Sequence, residues 1–332
     1  MSPDRSIAIQ VDDRIRLLAA ALALTDWPQR EQANKPHGVH PHAKATQRLL
    51  ADAAHHEAVR SLQALLDADH APEELLGAAV YLGWPESSAS GSLPEWLPAQ
   101  WMAQLHDFYH AGKLQDFWHS EDAAWKQAAA EARQALPPDL DMLGLCGEFF
   151  GPRRERLIFQ PNLCYPTDQT IGFRRGDELV CVAPPRIAWG DNPPWPYDDD
   201  PAWTYATVFG AYVHLLLREH LNAHPQELEA AQSDSLPLPP DFQRQYPGWL
   251  DQFAVIFADA ATGIFLAQAL GKAEADSFIL MEHKAHGFAI LTGAIRALET
   301  YLTDHKAGRV RGFADFLPTF CERLLMSERP GK

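Results

Sequence analysis

Apolar positions in the first 140 residues recur at helical spacing. After Asp12 and Asp13, which suit a helix N-terminus, Ile15, Leu18, Ala19 and Leu22 fall on one face. The same period predicts helices near 12–25, 43–67, 72–82, 99–110 and 120–136. SSASGS at 87–92 reads as a flexible connector. LPPD at 136–139 reads as a break, because proline lacks a backbone donor and restricts the residue before it. Beyond 140 the pattern changes. RLIFQ at 156–160, TIGFRR at 170–175 and ELVCVA at 178–183 predict strands, the last two joined in a hairpin by Gly176-Asp177. A proline-rich loop then runs to Asp200-Pro201, a cap followed by proline at the first helical position. Residues 202–222 are apolar almost all round, which predicts a buried helix. Long helices follow at about 248–270 and 273–304, with a last one at 312–326. The expected fold is α+β and helix-dominant, with a helical region over 1–140 and a small antiparallel sheet followed by long helices over 141–332.

Composition narrows the function classes. The 332 residues are 46% hydrophobic and 22% charged, which excludes general disorder. The net charge of −16 argues against nucleic acid and anionic membrane as partners. Cys146, Cys164, Cys181 and Cys321 form no CxxC pair and read as reduced thiols of a cytoplasmic protein. No apolar run is expected to reach the ~20 residues that cross a bilayer. Leu17–Thr25 is short enough for a signal-peptide core, but the aspartates before it suit a helix cap better.

Histidines supply most of the candidate chemistry. His106 and His110 have the i, i+4 spacing of a zinc pair, within a run of aromatics that suggests a packed hairpin instead. His37, His40 and His42 share a Gly/Pro loop with no acidic neighbour in sequence. His55 and His56 point about 100° apart on a helix and cannot easily share an ion. Asp198, Asp199 and Asp200 lack the alternating ligands of a calcium loop. On the 202–222 helix, His214 and Arg218 share one face, while His220 and His224 form a second pair near its polar end, expected to meet solvent.

Several segments carry a resemblance. They are VDDRIRLLAAALAL, HPHAKATQRLLADAAHHEAV, LHDFYHAGKLQDFW, GEFFGPRRERLIFQPNL and RALETYLTDHKAGRVRGFADFLPTF. In this order they resemble the zincin-like, gluzincin-type metallopeptidases of bacteria, and among them a large family of unknown function. The resemblance implies a buried helix carrying HExxH, in which two histidines bind zinc and the glutamate activates water. The third ligand would be a carboxylate on the next long helix. Here the matching helix reads His214-Leu215-Leu216-Leu217-Arg218, and no HExxH occurs anywhere in the chain. Leu215 stands at the base position, Arg218 at the second-ligand position, and Asp259 in FADAATG best matches the third. Leucine has no proton chemistry, and arginine has no lone pair for a metal.

The expectation is a catalytically inactive zincin-like protein, a pseudo-metallopeptidase without cofactor, that binds a peptide, a protein or a small ligand. The alternative is a zinc-dependent hydrolase with a non-standard site around His214 and Asp259. If the metal is gone, Arg218 is expected to pair with Asp259 and replace its charge. Zincins take extended peptides along an edge strand, so a groove beside 178–183, lined by Trp189 and Trp195, is expected as well.

Overall fold

The computed structural model describes residues 6–34, 37–84, 93–187, 192, 194–232, 235–287 and 290–327. The connector expected at 87–92 and Trp189 lie outside them. The chain divides into two compact units, one of Ile7–Pro137 with Leu157–Pro201, the other of Met1–Ser6, Pro138–Arg156 and Ala202–Lys332. The strands thus fold with the N-terminal helices, whereas the pattern change at 140 groups them with the C-terminal ones.

The first unit holds β1 (Ile7–Ile9) and seven helices: α1 (Asp13–Leu22), α2 (Trp27–Asn34), α3 (Pro41–Leu49), α4 (Glu57–Asp67), α5 (Pro72–Ala79), α6 (Trp101–Ala111) and α7 (Leu114–Ala135). It also holds β2 (Arg156–Pro161), β3 (Ile171–Arg175) and β4 (Glu178–Ala183). The single helix expected over 43–67 is two. His56 ends the break by capping α4, its Nδ1 accepting from the Ala58 N–H. The sheet order is β1-β2-β4-β3, with β1 parallel to β2 and β3 antiparallel to β4. The expected antiparallel sheet is therefore corrected to a mixed one, because three residues too few to show a period form β1. Gly176 takes a left-handed φ of 59° so that Arg175 can pair with Glu178 across a two-residue turn. Helix α1 starts at the Asp12 cap, and every residue from Ile15 to Leu22 is buried.

The second unit is helical. It holds α8 (Met142–Phe150), α9 (Pro201–Asn222), α10 (Pro225–Ala231), α11 (Pro240–Gln245), α12 (Trp249–Ala269), α13 (Lys272–His286), α14 (Leu291–Lys306) and α15 (Phe313–Ser327). The helix expected over 273–304 breaks where Gly287 adopts a left-handed φ of 69° and closes α13. Phe149, Phe253, Phe257, Tyr301, Phe313 and Phe320 form one buried ring cluster. Helix α12 is, by length and composition, long and apolar enough to cross a membrane, and most of it is buried inside the protein. This corrects the expectation that no apolar run reaches such a length; Asp251, Gln252 and Asp259 interrupt the run without lowering its average enough.

Candidate functional site

Two places matter: the motif helix of the second unit and a cleft in the first. On α9, His214 is half-buried, and burial, helped by the Arg218 charge beside it, pushes its pKa down to about 4. Arg218 pairs with Asp251 in the first turn of α12. The expected partner, Asp259, lies eight residues further along α12, roughly 12 Å by helical rise. The Arg218–Asp259 pair is thus corrected to Arg218–Asp251. Asp259 instead has Glu282 of α13 as its charged neighbour, and burial and that second carboxylate hold its carboxyl well above the usual range. Leu215 sits half-buried beside His214. Among the described residues no three histidine, cysteine or carboxylate side chains converge as metal ligands would.

The other histidine pairs have structural surroundings. His106 and His110 meet edge to face at 4.6 Å within a cluster containing Trp84, Tyr109 and Trp118. His220 and His224 do not simply meet solvent as expected. The His220 ring packs against Phe150 and Phe313, and burial first, then His224 and Arg153, lower its pKa to about 4. His56 pairs with Asp107, and Asp200 with Arg186. All four cysteines are free and buried, and burial pushes Cys146 and Cys164 up to about 12, so they stay inert thiols.

The cleft, of about 180 Å³, lies in the first unit, lined by His40, His42, Gln127, Glu131, Trp195 and Tyr197 with alanine, leucine and prolines between them. Behind it sits a buried relay. Arg16 of α1 and Glu121 of α7 form an ion pair at 3.1 Å, with side chains 6% and 7% exposed. The Arg16 guanidinium lies over two indoles, 4.4 Å from the Trp118 ring centre and 4.1 Å from that of Trp125. These three α7 residues recur at i, i+3 and i+7, so one face of the helix receives the arginine. The second Glu121 oxygen accepts from His42 Nδ1 at 2.5 Å.

His40 is fixed by a different bond. As the N-terminal cap of α3, its Nδ1 accepts the His42 N–H at 3.1 Å. Burial, followed by the neighbouring His42, holds its pKa down at about 4, so the ring is neutral at pH 7. A neutral imidazole whose Nδ1 accepts carries its proton on Nε2. The two rings stack, 5.2 Å between centroids and 19° from parallel. His40 therefore presents a fixed N–H donor, whereas His42 keeps Nε2 for the cleft. Such a pair cannot chelate a metal, because the His40 lone pair is already used and parallel rings do not converge on one ion.

The far wall is held at Glu131 by more exposed bonds. One Glu131 oxygen accepts from Gln127 Nε2 at 2.9 Å and the second from the Tyr197 N–H at 3.4 Å, and the Tyr197 hydroxyl donates to the Ala183 carbonyl at 2.8 Å. The Trp195 N–H donates to the Arg186 carbonyl, and 45% of Trp195 remains exposed. Trp195 lines this cleft rather than a groove beside 178–183. The edge-strand groove is corrected, because β4 lies between β2 and β3 and has no free edge for a peptide to pair with. Sequence reading missed Arg16, Glu121 and Glu131: the acidic partner of His42 is 79 residues away, that of His37 is Asp168 at 3.6 Å, and no local pattern signals either. No family model matches the chain, and no curated protein or solved structure matches it either.

Proposed function

We propose that this chain is a non-catalytic, cytoplasmic binding protein of zincin-like type, whose motif helix no longer does metal chemistry. The observation that carries this reading is the Arg218–Asp251 ion pair. It places a permanently charged guanidinium where the resemblance asks for a second metal ligand, and Leu215 supplies no base. The pair also supports neutral His214 as a packing residue, since a cation beside it disfavours a bound metal ion. Binding has its seat in the His40–His42 cleft, where polar groups are held in set orientations beside an exposed indole. The test is the zinc content of protein purified without chelator, with a generic peptide-hydrolysis assay on the same sample. The reading expects zinc far below one per chain and no turnover. Stoichiometric zinc that leaves on His214→Ala or Asp259→Ala, together with turnover, would return the chain to the hydrolases.

A further inference from the structure

We propose that the cleft of the first unit is a binding site for the neutral six-membered ring of a monosaccharide unit. The inference rests on the binding-protein reading and names its ligand class.

Size comes first. About 180 Å³ is below the range of drug-sized pockets and fits one ring rather than a peptide or dinucleotide. Charge comes next. No lysine or arginine is among the described residues lining the cleft; the Arg186 guanidinium lies over the Trp195 ring at 5.8 Å but is paired with Asp200, and Glu131 is part of the lining, so the cleft offers a phosphate or carboxylate no unpaired cation. The Glu121 charge behind the wall is already met by Arg16 and His42. The Nε2–H of His40 is a donor and offers a cation no lone pair.

The hydrogen-bonding groups then choose among neutral ligands. His40 can only donate, and Glu131 can only accept. His42 Nε2 accepts when the ring is neutral and donates when it is protonated. A hydroxyl group satisfies each of these, because it both donates and accepts. Spacing separates a polyol ring from a planar amide. The two imidazoles are stacked side by side, 5.2 Å apart, so their polar edges do not converge. The oxygen and nitrogen of one amide lie a single bond angle apart, much closer together than the two rings, and reach both only through bent hydrogen bonds. Hydroxyls around a pyranose are spread over its rim and can span them. Although the Arg186 guanidinium lies over it, the Trp195 indole, still 45% exposed in a wall of Pro185, Pro194 and Pro196, keeps aromatic surface for the C–H face of such a ring.

The experiment titrates the full-length protein with glucose, galactose, mannose and N-acetylglucosamine. Nicotinamide serves as the planar-amide probe and putrescine as the cationic one, read by calorimetry and tryptophan fluorescence. At least one pyranose is expected to bind saturably, with a dissociation constant roughly in the millimolar range. Trp195→Ala, at a half-exposed position that leaves the fold intact, should weaken it by at least about tenfold, and Trp195→Phe should restore most of the loss. His42→Gln should weaken it similarly. Lack of binding by all four sugars at about 50 mM, or binding unchanged by Trp195→Ala, overturns the assignment. Nicotinamide or putrescine binding in the cleft without any sugar also overturns it while leaving the binding-protein reading standing. Zinc-dependent peptide turnover would remove that reading without touching the sugar result.

Discussion

Each unit of this chain pairs an arginine with a carboxylate beside a histidine, and the two pairs differ in almost every physical respect. Arg16–Glu121 is 6% and 7% exposed, with the guanidinium over two indoles and the carboxylate bonded onward to His42. Arg218–Asp251 is 38% and 43% exposed. The first removes two charges from water and pairs them there, although Arg16 Nε is left without a hydrogen-bond partner, so it fixes where α1, α3 and α7 place their side chains. The second stays in water, where such a pair stabilises little. The resemblance to zincins directs attention to the second. Burial directs it to the first, where a permanently organised His42 faces a cleft.

The contrast breaks first at Glu121. Glu121→Ala leaves a buried guanidinium unpaired and should cost about 3–5 kcal/mol, measured by urea denaturation. The double change Arg16→Met with Glu121→Met removes both charges and should recover most of that loss. A single substitution costing under ~1 kcal/mol would place the relay among ordinary surface pairs.

Acid should produce the next largest effect. His40 and His214 are held near a pKa of about 4 in the fold against 6.5 when free. Between those values the unfolded chain binds more protons than the folded one, so stability is complete above pH 6.5 and falls as pH drops toward 4. Each group contributes at most roughly 3 kcal/mol to that fall. His40→Asn, which keeps a side chain able to cap α3, should flatten the slope in this window. An unchanged slope would show that His40 titrates normally in the fold.

Arg218→Ala should have the smallest effect. At its exposure the loss should stay below about 1 kcal/mol, with little change in thermal midpoint. A loss of several kcal/mol would put the motif helix on the same footing as the relay and erase the contrast.

Much of the fold could be read from the sequence, because period and punctuation are local. The hairpin at Gly176-Asp177, the three longer strands, α9 and α12 follow from residues close together in the chain. Strand β1 escaped because three residues carry no period, and the break at Gly287 because one glycine inside a helical pattern is a weak signal. The site was less legible. His40, His42 and Trp195 stand out locally, but the proximity of Arg16, Glu121 and Glu131 to them is set by tertiary packing alone. Nor does spacing tell Asp251 from Asp259: both lie on α12, and only the packed helices choose which carboxylate Arg218 meets.

The central claim is that the chain meets its ligand at the cleft and not at the motif helix. The most direct measurement is ring ¹⁵N NMR of the full-length, histidine-labelled protein, titrated with the pyranoses named above. The account predicts that one of them moves the His40 and His42 signals, with the His40 proton on Nε2, and leaves His214 in place. Movement of His214 with His40 and His42 unchanged would contradict it.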